Sequence, residues 1–299
     1  MDETGISTIT ELLFNKVASH LNTYVLLDMA RPHALDEVVR DRALDNMAYL
    51  KHPDFSEQPQ KAPVLVRLVG RHDDLLDASV GLAVQQTMNS DCRLRQVGGW
   101  LSSSLCPQQL ASLLSSKLKL LHGNGKARLR FYDPRVMAQL PGVFDTPQLM
   151  QLESGVEQWI YLDEGAQLQQ TAYPSPVPIS RAPFLANAEQ WSALMQVEVV
   201  NSAIHMLKTL GCSYEPEWNT QITRLTRRAI GQGFTQKIEQ ATFAVFGVWL
   251  HHGFDLHPRI DEVLEEARKS GVGFCEAMGV VSGDELLRIK HELEHAHAG

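Results

Sequence analysis

Apolar residues recur along this chain with two different periods. Ile9, Leu12, Leu13, Val17 and Leu21 share one helical face, and Leu76, Val80, Val84 and Met88 repeat four apart in a helix predicted over 75–88. Between them Tyr24 to Leu27 is a four-residue apolar run, too short for a helix and suited to a buried strand that ends on Asp28. Leu35, Val38, Val39 and Ala43 predict a helix over 35–50, and Pro53 and Pro59 mark a loop before a strand at Val64 to Val69. A short strand is expected near Arg93 to Val97, followed by Gly98-Gly99-Trp100-Leu101. Pro107 opens the next helix, since its missing N–H costs nothing in a first turn. Leu110, Leu113, Leu114, Leu118 and Leu121 form its stripe, and Gly123-Asn124-Gly125 stops it. Lys126 to Tyr132 then alternates polar and apolar residues with the period of a half-exposed strand, and Gln158 to Leu162 is the last strand of this half.

Pro174, Pro176, Pro178 and Pro183 interrupt the pattern, and everything beyond them is helical. Helices are predicted at Glu189–Leu210, Asn219–Ile230, Thr235–Leu250, Pro258–Lys269 and Ser282–Ala296, the last opened by the capping box Ser282-Gly283-Asp284-Glu285. The expected fold is an α/β (α+β) lobe over 1–164, a mixed sheet covered by helices. A proline-rich linker or arm follows over 165–186, and an all-α lobe over 187–299.

The 299 residues, 44% hydrophobic and 21% charged, are enough for two domains and too apolar for a disordered chain. The net charge of −8 speaks against phosphate-neutralising nucleic-acid binding and against polybasic docking on lipid. Sixteen basic residues face twenty acidic ones up to residue 164, and eleven face fifteen after it, so neither lobe stands out by charge. Cys92, Cys106, Cys212 and Cys275 are widely spaced without a C-x-x-C pair, which fits a reducing compartment. The N-terminus lacks the basic flank and apolar core of a signal peptide, and the apolar run Ala241 to Leu250 is too short to span a bilayer. A cytoplasmic protein without a membrane segment is expected.

Two groups of residues invite a catalytic reading. His291-Glu292-Leu293-Glu294-His295 matches the zinc-peptidase pattern H-E-x-x-H, in which two histidines one turn apart hold the metal and the Glu acts as base. Its histidines lie opposite the apolar stripe Leu286, Ile289, Leu293 and Ala296, and only four residues remain for a third ligand. The segment is therefore read as a solvated charged helix. Asp28 and Asp133 each follow a predicted strand, and parallel strands would carry both to one sheet edge, where carboxylates can hold Mg²⁺ or move protons. Asp133-Pro134 also reads as an N-cap and first helical position. G-x-S-x-G, P-loop and G-x-G-x-x-G patterns are missing, so no cofactor and no metal is predicted. Arg224, Arg227 and Arg228 cluster at helical spacing as a solvated face.

The stretch from Gly99 to Val136 contains Arg130-Phe131-Tyr132-Asp133-Pro134-Arg135 at a strand-to-helix junction. With Tyr24 to Ala30, Ala62 to Val66 and Trp159, it resembles the type VI secretion effector-chaperone (Tap/TEC) family over residues 20–165. The resemblance implies a cytoplasmic adaptor, not an enzyme, that binds one type VI effector protein and helps load it onto the C-terminal region of the spike protein VgrG. It implies neither nucleic acid nor membrane as partner. The residues expected at the motif corner or partner contact are Asp28, Arg130, Tyr132, Asp133, Arg135 and Trp159. Of these Asp133, with Phe131, is expected to brace the fold, and Arg135, exposed in its first helical turn, to meet the partner. The competing class is a metal- or carboxylate-dependent hydrolase, built on the H-E-x-x-H segment or on the two acids.

Overall fold

Tyr24 to Leu27 lies in β1 (Asn22–Leu27), an interior strand of a six-stranded sheet in a computed structural model that describes residues 21–32, 34–90, 92–123, 125–171 and 179–296. The other strands are β2 (Met47–Tyr49), β3 (Val64–Leu68), β4 (Val97–Ser103), β7 (Gln158–Leu162) and β8 (Leu168–Thr171), in the order β2-β3-β1-β4-β7-β8. Every pairing in this sheet is antiparallel, which corrects the expected mixed sheet. A parallel pairing occurs in a smaller sheet, where β5 (Lys119–His122) lies between its antiparallel neighbour β6 (Gly125–Arg128) and the parallel β9 (Phe184–Leu185).

Alternation sets the core. Val25 and Leu27 of β1 join Val64, Val66, Trp100 and Ile160 on one face, against Leu75, Leu76 and Val80 of a helix at Asp74–Met88. The Trp100 indole donates to the Ser79 hydroxyl at 2.9 Å, which ties β4 to that helix. Burial at both faces leaves all seven residues of β4 buried.

Where prediction and structure differ, strand pairing overrides a helical pattern. Residues 35–50 form only the short α1 (Asp36–Arg40) and a 3₁₀ turn before β2, because Met47, Ala48 and Tyr49 pair with Val66, Leu65 and Val64. The helix at 74–88 is α2. The following helix, α3 (Pro107–Lys117), stops four residues early, since Leu120 pairs with Ala127 on one side and Phe184 on the other. The strand expected over 126–132 ends at Arg128, and the one expected over 93–97 begins at Val97 instead. Two short helices follow the hairpin, α4 (Pro134–Met137) and α5 (Thr146–Leu152). The 165–186 segment carries β8 and β9 rather than plain linker at its described ends. The helix expected at Ile9–Leu21 falls almost wholly outside the described residues, as do Pro174, Pro176 and Pro178.

The chain divides into two compact units between Trp191 and Ser192. The second unit is all helical: α6 (Ala188–Thr209) runs into it, followed by α7 (Trp218–Gly231), α8 (Lys237–Trp249), α9 (Pro258–Ser270), α10 (Phe274–Met278) and α11 (Gly283–Ala296). Five of these lie within two residues of their predicted bounds. The five-residue α10 was missed because it is too short to show a period. It supplies Phe274, whose ring centroid is 5.2 Å from Phe243 and 5.4 Å from Phe234 in the aromatic core.

Candidate functional site

The R-F-Y-D-P-R segment forms a corner where the β5–β6 hairpin ends and α4 begins. Leaving β6, the chain keeps one more bond, from Leu129 N–H to the Leu118 carbonyl at 2.8 Å, and then turns, with Asp133 N–H donating to the Arg130 carbonyl at 2.9 Å. Phe131 and Tyr132 are both buried at the turn. Asp133 caps α4: its Oδ1 accepts from the Arg135 backbone N–H at 3.1 Å, and Pro134 takes the first helical position. The same carboxylate accepts from Arg135 Nε at 3.0 Å on Oδ1 and from Arg135 Nη2 at 2.7 Å on Oδ2, a bidentate pair.

Arg130 links this cap to the sheet. Its Nη2 lies 3.4 Å from Asp133 Oδ2 and donates to Asp28 Oδ2 at 2.8 Å. The Tyr132 hydroxyl donates to the same Asp28 oxygen at 3.2 Å, and Asp28 Oδ1 accepts from Ala30 N–H at 2.9 Å. Asp28 and Asp133 therefore meet through one guanidinium rather than on a shared edge of parallel strands, which corrects the geometry expected for them; β1 and β6 belong to different sheets.

The electrostatics follow from this enclosure. Burial pushes the Asp133 carboxyl up, but the Arg135 hydrogen bonds and the Arg135 and Arg130 charges outweigh it and hold the group below its ordinary value. Burial and the Asp28 charge push the Tyr132 hydroxyl well above its usual range, so it stays a donor. Burial works against the charge of Arg130, and Asp133, Tyr132 and Asp28 more than offset it. Both oxygens of Asp133 are engaged by guanidinium or backbone N–H, which leaves this carboxylate arranged for holding the corner rather than for accepting a substrate proton.

Five of the six expected site residues are thus brought together: Asp28, Arg130, Tyr132, Asp133 and Arg135. Trp159 is outside this hydrogen-bonded network but packs edge-on against Phe131 of the corner, with ring centroids 6.0 Å apart; it is fully buried in β7 and donates from Nε1 to the Gly98 carbonyl at 3.0 Å. That contact needs Gly99, which has φ +124°, and where any Cβ would collide with the Ile160 carbonyl oxygen and sit 2.6 Å from Trp159 Nε1. Arg135 is not the freely exposed arginine expected. Its side chain is 20% accessible, grips Asp133 and donates to the Arg93 carbonyl at 2.9 Å.

In the H-E-x-x-H segment Glu292 lies 2.9 Å from His257 Nε2, and His291 and His295 face each other across 3.0 Å on an exposed helix surface. No group of three or more potential metal ligands occurs among the described residues. Of the arginine trio, Arg228 is not merely solvated, since its Nε pairs with the buried Asp255 at 2.7 Å.

Two concavities adjoin the corner. A cleft of about 180 Å³ opens over it and is lined by Arg31, Arg93, Arg95, Arg128, Arg130 and Arg135, with Asp28 at its floor. Four of these arginines were not found from the sequence, because positions 31, 93, 95 and 128 share no spacing and only the fold collects them. A larger groove, about 920 Å³, runs between edge strand β2 and α3, with Met47, Tyr49, Leu50, Phe55, Pro59 and Ala111 among its walls. Phe55 lines both.

Fold and site together define an antiparallel α+β domain whose strand-to-helix corner is locked by guanidinium–carboxylate pairs. Residues 23–151 match the model of a domain of unknown function, DUF4123, so this stretch, from β1 through all but the end of α5, is similar to that domain and contains the whole corner. No curated protein and no solved structure matches the chain. No helix among the described residues is long and apolar enough to cross a membrane.

Proposed function

We propose that the protein is a non-enzymatic adaptor that holds a type VI secretion effector in the cytoplasm of the producing cell and helps load it onto the C-terminal region of VgrG. The observation that carries this reading is the DUF4123 match, a domain associated with type VI secretion effector adaptors, which encloses the complete Arg130-Phe131-Tyr132-Asp133-Pro134-Arg135 corner. The groove beside β2 is consistent with it. An edge strand beside an apolar trough suits the two common ways of holding a segment of another chain, as an added strand or as an amphipathic helix. The corner then serves as the rigid wall of the binding surface rather than as a reactive centre. Co-purification of the full chain with type VI effector and VgrG proteins of the same genome tests the reading. A complex that survives size exclusion supports it, and the absence of a complex with either protein refutes it.

A further inference from the structure

The arginine cleft is unusual for a chain of net charge −8. Among the described residues, its six arginines are met by four carboxylates: Asp28 and Asp133 serve Arg130 and Arg135, Glu164 holds Arg95 at 2.8 Å, and Asp54 holds Arg128 at 3.2 Å. The surplus is two positive charges, Arg31 and Arg93. Both are exposed, and neither side chain has a hydrogen-bond or ion-pair partner among the described residues. The paired arginines are held by their carboxylates, so the excess positive charge of the cleft sits on the two free ones. Guanidinium groups in this arrangement favour planar, bidentate acceptors such as carboxylates.

The cleft does not stand alone. Phe55 separates it from the apolar groove, and the Arg128 guanidinium lies over the Phe55 ring, 4.9 Å from its centroid. The concave surface therefore changes from apolar to cationic across one side chain. We propose that this surface takes a segment of a protein partner in which a short apolar run is followed by acidic side chains. The apolar run lies in the groove beside β2, and the carboxylates meet Arg31 and Arg93 in the cleft. A free small anion would use only the cleft and leave the groove without a role. The identity of the partner as an effector rests on the adaptor reading above, but the chemistry of the segment does not.

Two labelled peptides test it against the full chain by fluorescence anisotropy. Both carry the same leucine-rich half, one followed by four glutamates and the other by four lysines. The acidic peptide is expected to bind at least about tenfold more tightly, with the preference shrinking at high salt. Arg31→Glu/Arg93→Glu is expected to abolish the preference, and Arg227→Glu, an exposed charge reversal in the second unit, to leave it unchanged. Equal affinity for the two peptides, binding of neither, or a preference that survives the double variant overturns the proposal. Complete displacement of the acidic peptide by inorganic phosphate also overturns it, by showing a free-anion site only. These outcomes are separate from the co-purification: a chain that prefers the acidic peptide but captures no effector keeps the cleft chemistry and loses the adaptor reading, and the converse result does the opposite.

Discussion

Asp133 in the first unit and Asp255 in the second are both buried carboxylates facing arginine, yet their surroundings act on them in opposite directions. Asp133 has both oxygens engaged, by Arg135 through side chain and backbone and by Arg130, and it is held below its ordinary pKa of 3.8. Asp255 has Oδ2 engaged, by Gln232 at 2.6 Å and Arg228 at 2.7 Å, while its buried Oδ1 has no hydrogen-bond partner. Burial pushes Asp255 up, and the Arg228 charge does not fully offset it. An arginine neighbour is therefore not enough to stabilise a buried carboxylate. What decides is whether both oxygens are satisfied.

Breaking the first site gives the largest effect. Asp133→Asn removes the helix cap's charge, takes the carboxylate partner from the partly buried Arg135 and leaves Arg130 with Asp28 alone, at an expected cost of about 3 kcal/mol. Urea unfolding measures it, and a loss below about 1 kcal/mol would show that the corner is not a stabilising network. Gly99→Ala comes next, at about 2 kcal/mol, because a left-handed φ and a backbone collision act together. Its signature is a blue-shift or quench change in tryptophan emission, as Trp159 loses its bond to Gly98. Asp255→Asn is expected to cost no more than about 1 kcal/mol, since it removes a charge whose burial is poorly compensated and Arg228 can turn to solvent. Equal losses at Asp133 and Asp255 would erase the contrast between the two units.

Titration sharpens the same comparison. The folded pKa of Asp133 is depressed, so its contribution is fully present above 3.8 and is lost as the pH falls through the folded value. The folded pKa of Asp255 is raised, so its ionised form weakens the fold at neutral pH and the cost is relieved as the pH falls towards 3.8. The stability difference between wild type and Asp255→Asn should therefore move in favour of wild type on acidification from neutral pH. The difference between wild type and Asp133→Asn should stay flat over that range and narrow only below 3.8. Urea midpoints for the three proteins at a series of pH values read both. The smallest stability effect belongs to Arg31→Glu/Arg93→Glu, within about 0.5 kcal/mol of wild type, as for exposed side chains whose only hydrogen bonds run through their backbone carbonyls.

The two units also differ in how far their sequences disclosed them. Helices of the second unit show amphipathic stripes such as Ile260, Val263, Leu264 and Ala267, a local signal that survives packing, and their bounds followed from it. In the first unit β2 and β5 carry helix-like spacing and become strands through partners distant in the chain, which no local period records. At the corner, Asp133-Pro134 announced its own cap, and the six-residue motif marked Arg130, Tyr132 and Arg135. That Asp28, over a hundred residues earlier, accepts from both Arg130 and Tyr132 depends on the sheet register. The burial of Arg135 behind Asp133 and the gathering of Arg31, Arg93, Arg95 and Arg128 around one cleft depend on it as well.

The groove beside β2 and the arginine cleft are proposed to hold a segment of another polypeptide. The most direct test of this proposal is light scattering coupled to size exclusion, with the purified 33.4 kDa chain mixed with a candidate type VI effector from the same genome. One peak whose mass is that of both chains together is expected, with a shift back to separate peaks for Arg31→Glu/Arg93→Glu at moderate salt. Two peaks at the masses of the separate wild-type proteins would contradict it.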